Sequence, residues 1–284
     1  MGLSEGWGRV VVRHGSAVLM SAAAIAVLAG RAPAVPTGAA DAAASVTDIP
    51  LAGGVTQRVL VIQPAGAPQA ALILFSGGDG VLKIERNGKI DQPGNFLVRT
   101  RQRWVEKGFA VVIPDTTSDH PEGLFGVRLT SAYADTVSKV VDFAHAQTKA
   151  AVWLVGTSQG TNAAANAGTV LTHGEIAGLV LTSTLTRPGP RPELKENVFD
   201  ANLKAIVVPT LIVANTDDKC NLTPPSDVSK LKAALTQAKT VDVVTVSGGA
   251  PPRSQPCEAL SPHGFYGIEA QVVDQISTWI MQHQ

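Results

Sequence analysis

The amino-acid sequence predicts an α/β fold, with a mostly parallel, twisted sheet that is covered by helices on both faces. Short apolar runs rich in β-branched residues alternate with longer segments whose apolar residues recur at helical spacing. This alternation is typical of parallel sheets, because neighbouring parallel strands need a long crossover connection. Of the 284 residues, 45% are hydrophobic and 16% are charged, which predicts a globular chain with a large core.

The individual elements follow from the same patterns. The predicted strands cover residues 58–63, 70–75, 109–114, 151–155, 177–182, 208–214 and 240–246. The predicted helices cover residues 95–107, 130–147, 161–167, 226–238 and 266–282. The segment between residues 182 and 208 is too short for a large lid, and we expect none.

The first part of the chain has a different composition from the rest. Arg9 and Arg13 precede an apolar stretch that ends in small residues, which is typical of a secretory signal peptide. We therefore expect a cleaved signal peptide at residues 1–34, a flexible segment rich in Ala, Gly and Pro at 35–45, and a single α/β domain at 46–284. A single membrane anchor is the alternative, but the apolar stretch is shorter than the roughly 20 residues that span a bilayer. The mature protein is expected to be periplasmic or secreted and not bound to a membrane.

Charge and cysteine content narrow the class of partner. The 23 basic and 23 acidic residues balance, and no basic stripe is present, so a nucleic-acid partner is not expected. Cys220 and Cys257 are the two cysteines, and in an exported protein they fit one disulfide bond. Two buried free thiols are the alternative. The expected partner is a small molecule.

Residues 151–160 form an apolar run that ends in Gly-Thr-Ser-Gln-Gly, which matches the G-x-S-x-G nucleophile elbow. In this motif a strand turns sharply into a helix, so Gly156 and Gly160 must be small to avoid a collision. The turn exposes the hydroxyl of Ser158 at the start of a helix, where the helix dipole favours a developing negative charge. A glycine-rich turn with an unreactive serine is the alternative.

A serine hydroxyl needs a general base, and the base needs an acid that orients it. His263 lies in a loop after the last predicted strand, between a proline and a glycine that shape the loop. Asp217 and Asp218 follow the strand that ends at residue 214, and we expect Asp218 to face the histidine, with Asp217 as the alternative. The alternatives without a catalytic role are that His263 packs in the core and that the two aspartates form a solvated acidic turn.

An oxyanion hole needs two backbone N–H groups that point at one position. The first is expected from Gln159, which follows the serine. The second is expected from the glycine-rich segment 76–80, where Gly78 or Asp79 is the candidate donor. A plain turn is the alternative.

Residues 82–90 contain Asn-Gly between short alternating stretches, which predicts a hairpin flap over the site or an exposed loop.

Several of these stretches resemble the α/β-hydrolase superfamily and, within it, exported bacterial serine hydrolases distantly akin to dienelactone hydrolases. The similar stretches are residues 75–80, 94–99, 152–160, 218–225 and 256–265. The resemblance implies an α/β-hydrolase fold, a triad of Ser158, Asp218 and His263, and the oxyanion hole described above. Dienelactone hydrolases use a cysteine nucleophile, whereas this chain has a serine, so their substrate does not carry over.

The sequence thus predicts a serine hydrolase that cleaves an ester or a related acyl bond through an acyl-enzyme. This mechanism requires neither a metal ion nor an organic cofactor. A non-catalytic ligand-binding protein on a hydrolase scaffold is the alternative from another class, because a fold does not determine a function. An amidase or peptidase is the alternative within enzymes.

Overall fold

The computed structural model describes residues 43–284. The expected signal peptide at 1–34 and residues 35–42 of the expected flexible segment lie outside the described residues. The remaining residues of that segment, 43–45, belong to the first described strand, which therefore includes three residues before the predicted boundary at 46.

The described residues form one eight-stranded sheet in the order β1-β2-β4-β3-β5-β6-β7-β8. The strands are β1 (Ala43–Pro50), β2 (Thr56–Gln63), β3 (Ala71–Phe75), β4 (Ala110–Thr117), β5 (Val152–Thr157), β6 (Gly178–Thr182), β7 (Thr210–Asn215) and β8 (Val241–Val246). Strand β2 is antiparallel to both β1 and β4, and the neighbours from β4 to β8 are parallel. The carboxyl ends of the parallel strands therefore share one edge, where α/β proteins bind ligands.

Helices cover both faces of this sheet, as predicted. They are α1 (Phe96–Arg99), α2 (Arg101–Glu106), α3 (Ser131–Thr148), α4 (Gly160–Val170), α5 (Val228–Ala234) and α6 (Glu269–Gln282). One apolar core lies between the sheet and α3, α4 and α5, and a second lies between the sheet and α1, α2 and α6. Strands β3 and β5 are buried along their whole length because they lie between these two layers.

Three elements differ from the sequence prediction. Strand β1 was not predicted, because it pairs only with β2 and its first residues are exposed, which weakens its apolar pattern. The single helix expected at 95–107 is divided at Thr100, whose side chain bonds back to the carbonyl of Phe96. Helix α5 is shorter than the helix predicted at 226–238. Residues Pro225–Asp227 form a 3₁₀ turn, and α5 itself ends at Ala234.

The segment that joins β6 to β7 contains three single-turn 3₁₀ helices, in agreement with the absence of a large lid. Across residues 43–284, the helices are all too short or too polar to traverse a lipid bilayer.

Candidate active site

Ser158 lies in the sharp turn between β5 and α4, and its backbone has φ +52°, in the left-handed region that non-glycine residues rarely adopt. A β-carbon on Gly156 would lie 2.6 Å from the carbonyl oxygen of Gly160, and one on Gly160 would overlap the carbonyl oxygen of Phe75. The two glycines are therefore required sterically. The N–H of Ser158 donates to the carbonyl of Thr182 (3.0 Å), which fixes the turn to the neighbouring strand.

His263 and Asp218 meet across two loops. The Nδ1 atom of His263 lies 3.0 Å from Oδ2 of Asp218, and both side chains are buried. The other carboxylate oxygen, Oδ1, accepts the backbone N–H of Cys220 at 2.8 Å. The backbone N–H of His263 donates to the hydroxyl of Ser261 at 3.2 Å. With Nδ1 facing a carboxylate, the neutral ring carries its proton there and leaves Nε2 as the acceptor, which is the form a general base needs.

Asp217, the alternative acid, points elsewhere. Its side chain is exposed, and Oδ2 accepts the backbone N–H of Gly248 at 2.7 Å. Of the two adjacent carboxylates, Asp218 is the one that contacts the histidine.

Thr223 also reaches this contact; it lies in the stretch 218–225 that carries the family resemblance, but no role was predicted for its side chain. Its hydroxyl donates to Oδ2 of Asp218 at 2.9 Å and lies 3.0 Å from Nδ1 of His263. The acid, the base and this hydroxyl thus form a buried group of three side chains.

The loop that carries His263 is fixed by two more side chains that sequence reasoning missed. The hydroxyl of Ser183 donates to the carbonyl of His263 at 2.7 Å. The guanidinium of Arg99 donates to the carbonyl of Gly264 and forms an ion pair with Glu269 at 3.0 Å. Burial lowers the pKa of Arg99, and its hydrogen bond to Glu269 partly opposes this effect. Such long-range contacts leave no local pattern in the sequence.

The predicted disulfide bond between Cys220 and Cys257 is present in the structure. Cys220 lies two residues after Asp218, and Cys257 lines the cleft six residues before His263. The bond therefore joins the loop of Asp218 to the loop of His263.

The candidate oxyanion donors lie beside Ser158. Gly77 approaches so closely that a β-carbon there would lie 3.0 Å from Cβ of the serine. Among the described residues, the backbone N–H groups of Gly78, Asp79 and Gln159 have no protein acceptor, so they are free to bind an anion. The carboxylate of Asp79 accepts the N–H of Val81 at 3.0 Å and so closes the glycine-rich turn.

A buried arginine lies beneath this turn. Nη2 of Arg128 donates to the carbonyl of Ser76 at 3.4 Å, and a β-carbon on Gly80 would lie 2.6 Å from that nitrogen. Burial lowers the pKa of Arg128. The guanidinium supports the turn from below and explains why Gly80 has no side chain.

Ser158 and His263 line the same cleft, which has a volume of about 340 Å³. Asp79 and Glu258 also line it, as does the apolar ring of Phe96. In residues 43–284 the ring of His263 forms its hydrogen bonds through Nδ1 alone, and none joins it to the serine hydroxyl. Such bonds often tighten only when substrate binds.

The predicted hairpin is present as a short flap, with a single antiparallel bridge between Ile84 and Ile90. Leu82, which precedes this bridge, lines the cleft, so the flap borders the site. Elsewhere in the described chain, no three side chains of His, Cys, Asp or Glu lie close enough together to hold a metal ion.

No protein-family model and no curated protein matches the sequence. Solved structures do match. An esterase from Pyrococcus furiosus superposes with a TM-score of 0.62 at 11% identity, over 85% of this chain and 92% of that chain. A dienelactone hydrolase from Anabaena variabilis superposes with a TM-score of 0.57 at 16% identity, over 86% of this chain and 99% of that chain. A fungal esterase from Rhizomucor miehei superposes with a TM-score of 0.58 at 15% identity, over 87% of this chain and 84% of that chain. These similarities confirm the predicted α/β-hydrolase fold.

Proposed function

We propose that this protein is a serine hydrolase that cleaves carboxylic esters or related acyl bonds through an acyl-enzyme. One observation carries the proposal: a serine in a strained turn shares a cleft with a histidine whose Nδ1 contacts a buried carboxylate. Backbone strain of this kind is found where a site must hold one geometry. The esterases and the dienelactone hydrolase among the structural neighbours support the same class of reaction.

In the first half of the reaction, Oγ of Ser158 attacks the acyl carbon while Nε2 of His263 takes the hydroxyl proton. The π electrons of the carbonyl group move onto its oxygen, where N–H groups of Gln159 and of Gly78 or Asp79 stabilise the negative charge. Asp218 orients the ring and stabilises the imidazolium ion. The tetrahedral intermediate then collapses, and the leaving alcohol departs with the proton from His263.

In the second half, a water molecule gives a proton to Nε2 of His263 and attacks the acyl carbon of the ester on Ser158. The second tetrahedral intermediate collapses, the proton returns to Oγ, and the carboxylic acid is released. The net reaction consumes one ester and one water and yields one acid and one alcohol.

The disulfide bond supports an exported location, because such bonds persist in oxidising compartments. We therefore propose that the protein works in the periplasm or outside the cell. The signal peptide that this requires is a prediction from the sequence alone.

A series of p-nitrophenyl esters with graded acyl chains tests the proposal. We expect hydrolysis whose rate depends on the length of the acyl chain, because Ser158 and His263 line one cleft of about 340 Å³ in which that chain must fit. Ser158→Ala should abolish hydrolysis, and Ser131→Ala, a change at an exposed serine on α3, should not. Equal rates for the wild type and Ser158→Ala would overturn the proposal.

Two alternatives predict different results in the same assay. A ligand-binding protein would bind esters without turnover, and its melting temperature would rise with ligand. An amidase or peptidase would cleave a matched anilide at a rate close to that of the ester.

A further inference from the structure

The hydroxyl of Thr223 lies where the acid and the base meet. It is 2.9 Å from Oδ2 of Asp218 and 3.0 Å from Nδ1 of His263, and the residue is only 4% exposed. The triad mechanism alone needs no such group. A buried hydroxyl at this point therefore requires its own explanation.

The single proton of this hydroxyl has two possible acceptors, Oδ2 of Asp218 and Nδ1 of His263. The carboxylate is the stronger acceptor, because hydrogen bonds to charged groups are about twice as strong as neutral ones. With the proton on the carboxylate side, a lone pair of the hydroxyl oxygen faces the ring. Only a protonated Nδ1 can then make favourable contacts with both oxygens, so the proton of the ring is fixed on Nδ1 and Nε2 remains an acceptor.

The threonine is itself held in place. Its backbone N–H donates to the carbonyl of Cys220 at 3.2 Å, and Cys220 is bonded to Cys257. The N–H of Cys220 in turn binds the other carboxylate oxygen of Asp218. Both oxygens of the acid are thus fixed by groups of one short loop, so the plane of the carboxylate is defined before substrate arrives.

We infer that Thr223 is a positioning residue for the reaction, whose hydroxyl orients the carboxylate of Asp218 and, together with that carboxylate, holds His263 in the Nδ1-protonated form. This inference depends on the proposed serine hydrolase function for its effect on rate. Its effect on the imidazole ring is independent of that function and is measurable without substrate.

Thr223→Val removes the hydroxyl and keeps the shape of the side chain. We expect kcat to fall about tenfold, well short of the roughly 10⁴-fold loss that is typical when the triad acid itself is changed. The KM for a neutral ester should change less than about twofold, because the side chain lies behind the imidazole and does not line the cleft. Thr223→Ser restores the hydroxyl and should recover most of the lost kcat.

Thr184→Val is the matched control. Thr184 is also buried, and its hydroxyl has no hydrogen-bond partner among the described residues, so the same change there should leave kcat unaltered. If Thr223 had only a structural role, Thr223→Val would lower the melting temperature and leave kcat per folded molecule unchanged. That result would overturn the inference.

Nuclear magnetic resonance of the His263 ring gives a readout that does not need turnover. In the wild type we expect a ring protonated at Nδ1 and a sharp, downfield Nδ1 proton signal, and in Thr223→Val a broadened signal. An identical Nδ1 signal in both proteins would overturn the inference even if no ester is hydrolysed. If the wild type hydrolyses esters and Thr223→Val is as active as Thr184→Val, the inference fails and the proposed function stands.

Discussion

Cys220 and Cys257 form a disulfide bond that joins the loop of Asp218, the proposed triad acid, to the loop of His263, with Cα atoms 4.6 Å apart. The N–H of Cys220 also binds the carboxylate of Asp218 directly. The bond therefore lies at the candidate site, and we expect it to affect turnover as well as the stability of the chain.

Reduction of this bond should impair turnover before it unfolds the core. The sequence separation is 37 residues, so the bond stabilises the folded state by at most about 4 kcal/mol in the chain-entropy model. We expect kcat/KM to fall at least about tenfold in reductant while far-ultraviolet circular dichroism is unchanged. The Cys220→Ser/Cys257→Ser variant should show the same loss and no further response to reductant. Full turnover of the reduced enzyme, with only a lower melting temperature, would contradict this.

Gly160 and Gly168 lie in the same helix but should respond differently to alanine. A β-carbon on Gly160 would overlap the backbone oxygen of Phe75, whereas the nearest atom to one on Gly168 would be a methyl carbon of the Leu179 side chain, at 2.7 Å. Gly160→Ala should lower the free energy of unfolding by about 3 kcal/mol or more and abolish activity. Gly168→Ala should cost less than Gly160→Ala, because a side-chain methyl group shifts more easily than a backbone carbonyl and alanine gains about 1 kcal/mol in helix propensity. Urea denaturation of both variants measures the difference, and equal effects would show that the elbow tolerates a side chain.

The charges of the cleft predict a preference among esters. Asp79 and Glu258 contribute carboxylates, and no Lys or Arg is among the described residues that line the cleft. A neutral ester should therefore be hydrolysed at least about fivefold faster, in kcat/KM, than the half-ester of a dicarboxylic acid of equal length. High salt should lower this ratio of kcat/KM values, because salt screens exposed charges.

Glu258→Gln should also lower the ratio of kcat/KM for the neutral ester to kcat/KM for the half-ester. Glu106→Gln, a change at an exposed position on α2, should leave it unchanged and serves as the control. A half-ester that is cleaved as fast as the neutral ester by the wild type would show that these carboxylates do not select substrates.

The ion pair between Asp48 on β1 and Arg58 on β2 predicts a pH dependence of stability. Arg58 donates to both carboxylate oxygens, at 2.7 and 2.9 Å, and this hydrogen bonding is the largest cause that lowers the pKa of Asp48 below its ordinary 3.8. A lowered folded-state pKa contributes stability that is complete above the unfolded-state pKa and is lost as the pH falls through the folded-state pKa.

Asp48→Asn should therefore lower the free energy of unfolding by about 1 kcal/mol or less at pH 7, and this difference should shrink below about pH 4. Asp142→Asn, at an exposed position on α3, should change the free energy of unfolding by less than about 0.5 kcal/mol. Urea denaturation at pH 7 and at pH 3 measures both variants. A constant difference for Asp48→Asn between these two pH values would contradict the assignment.

The buried strands were predictable because burial on both faces leaves continuous apolar runs, as in β3 and β5. The edge strand β1 was not, since its partly exposed residues lack that pattern. Ser158 was predictable because the steric demands of its turn fix the two flanking glycines in a local motif.

The surroundings of the proposed triad were harder to predict. Asp218 and His263 could be proposed because chemistry restricts the residue types and strand ends restrict their places. Thr223 contacts the side chain of His263, and Ser183 and Arg99 bind the backbone carbonyls of His263 and Gly264, all through hydrogen bonds between residues far apart in the sequence. Only the three-dimensional structure distinguishes them from solvent-exposed residues of the same types.

The most direct test of the central claim is the rate and position of labelling by a fluorophosphonate, which reacts with activated serines. We expect peptide mass spectrometry to find the adduct on Ser158, and we expect labelling to slow at least about 10³-fold in His263→Ala. Labelling of another residue, or an equal rate in His263→Ala, would contradict the proposal that His263 activates Ser158.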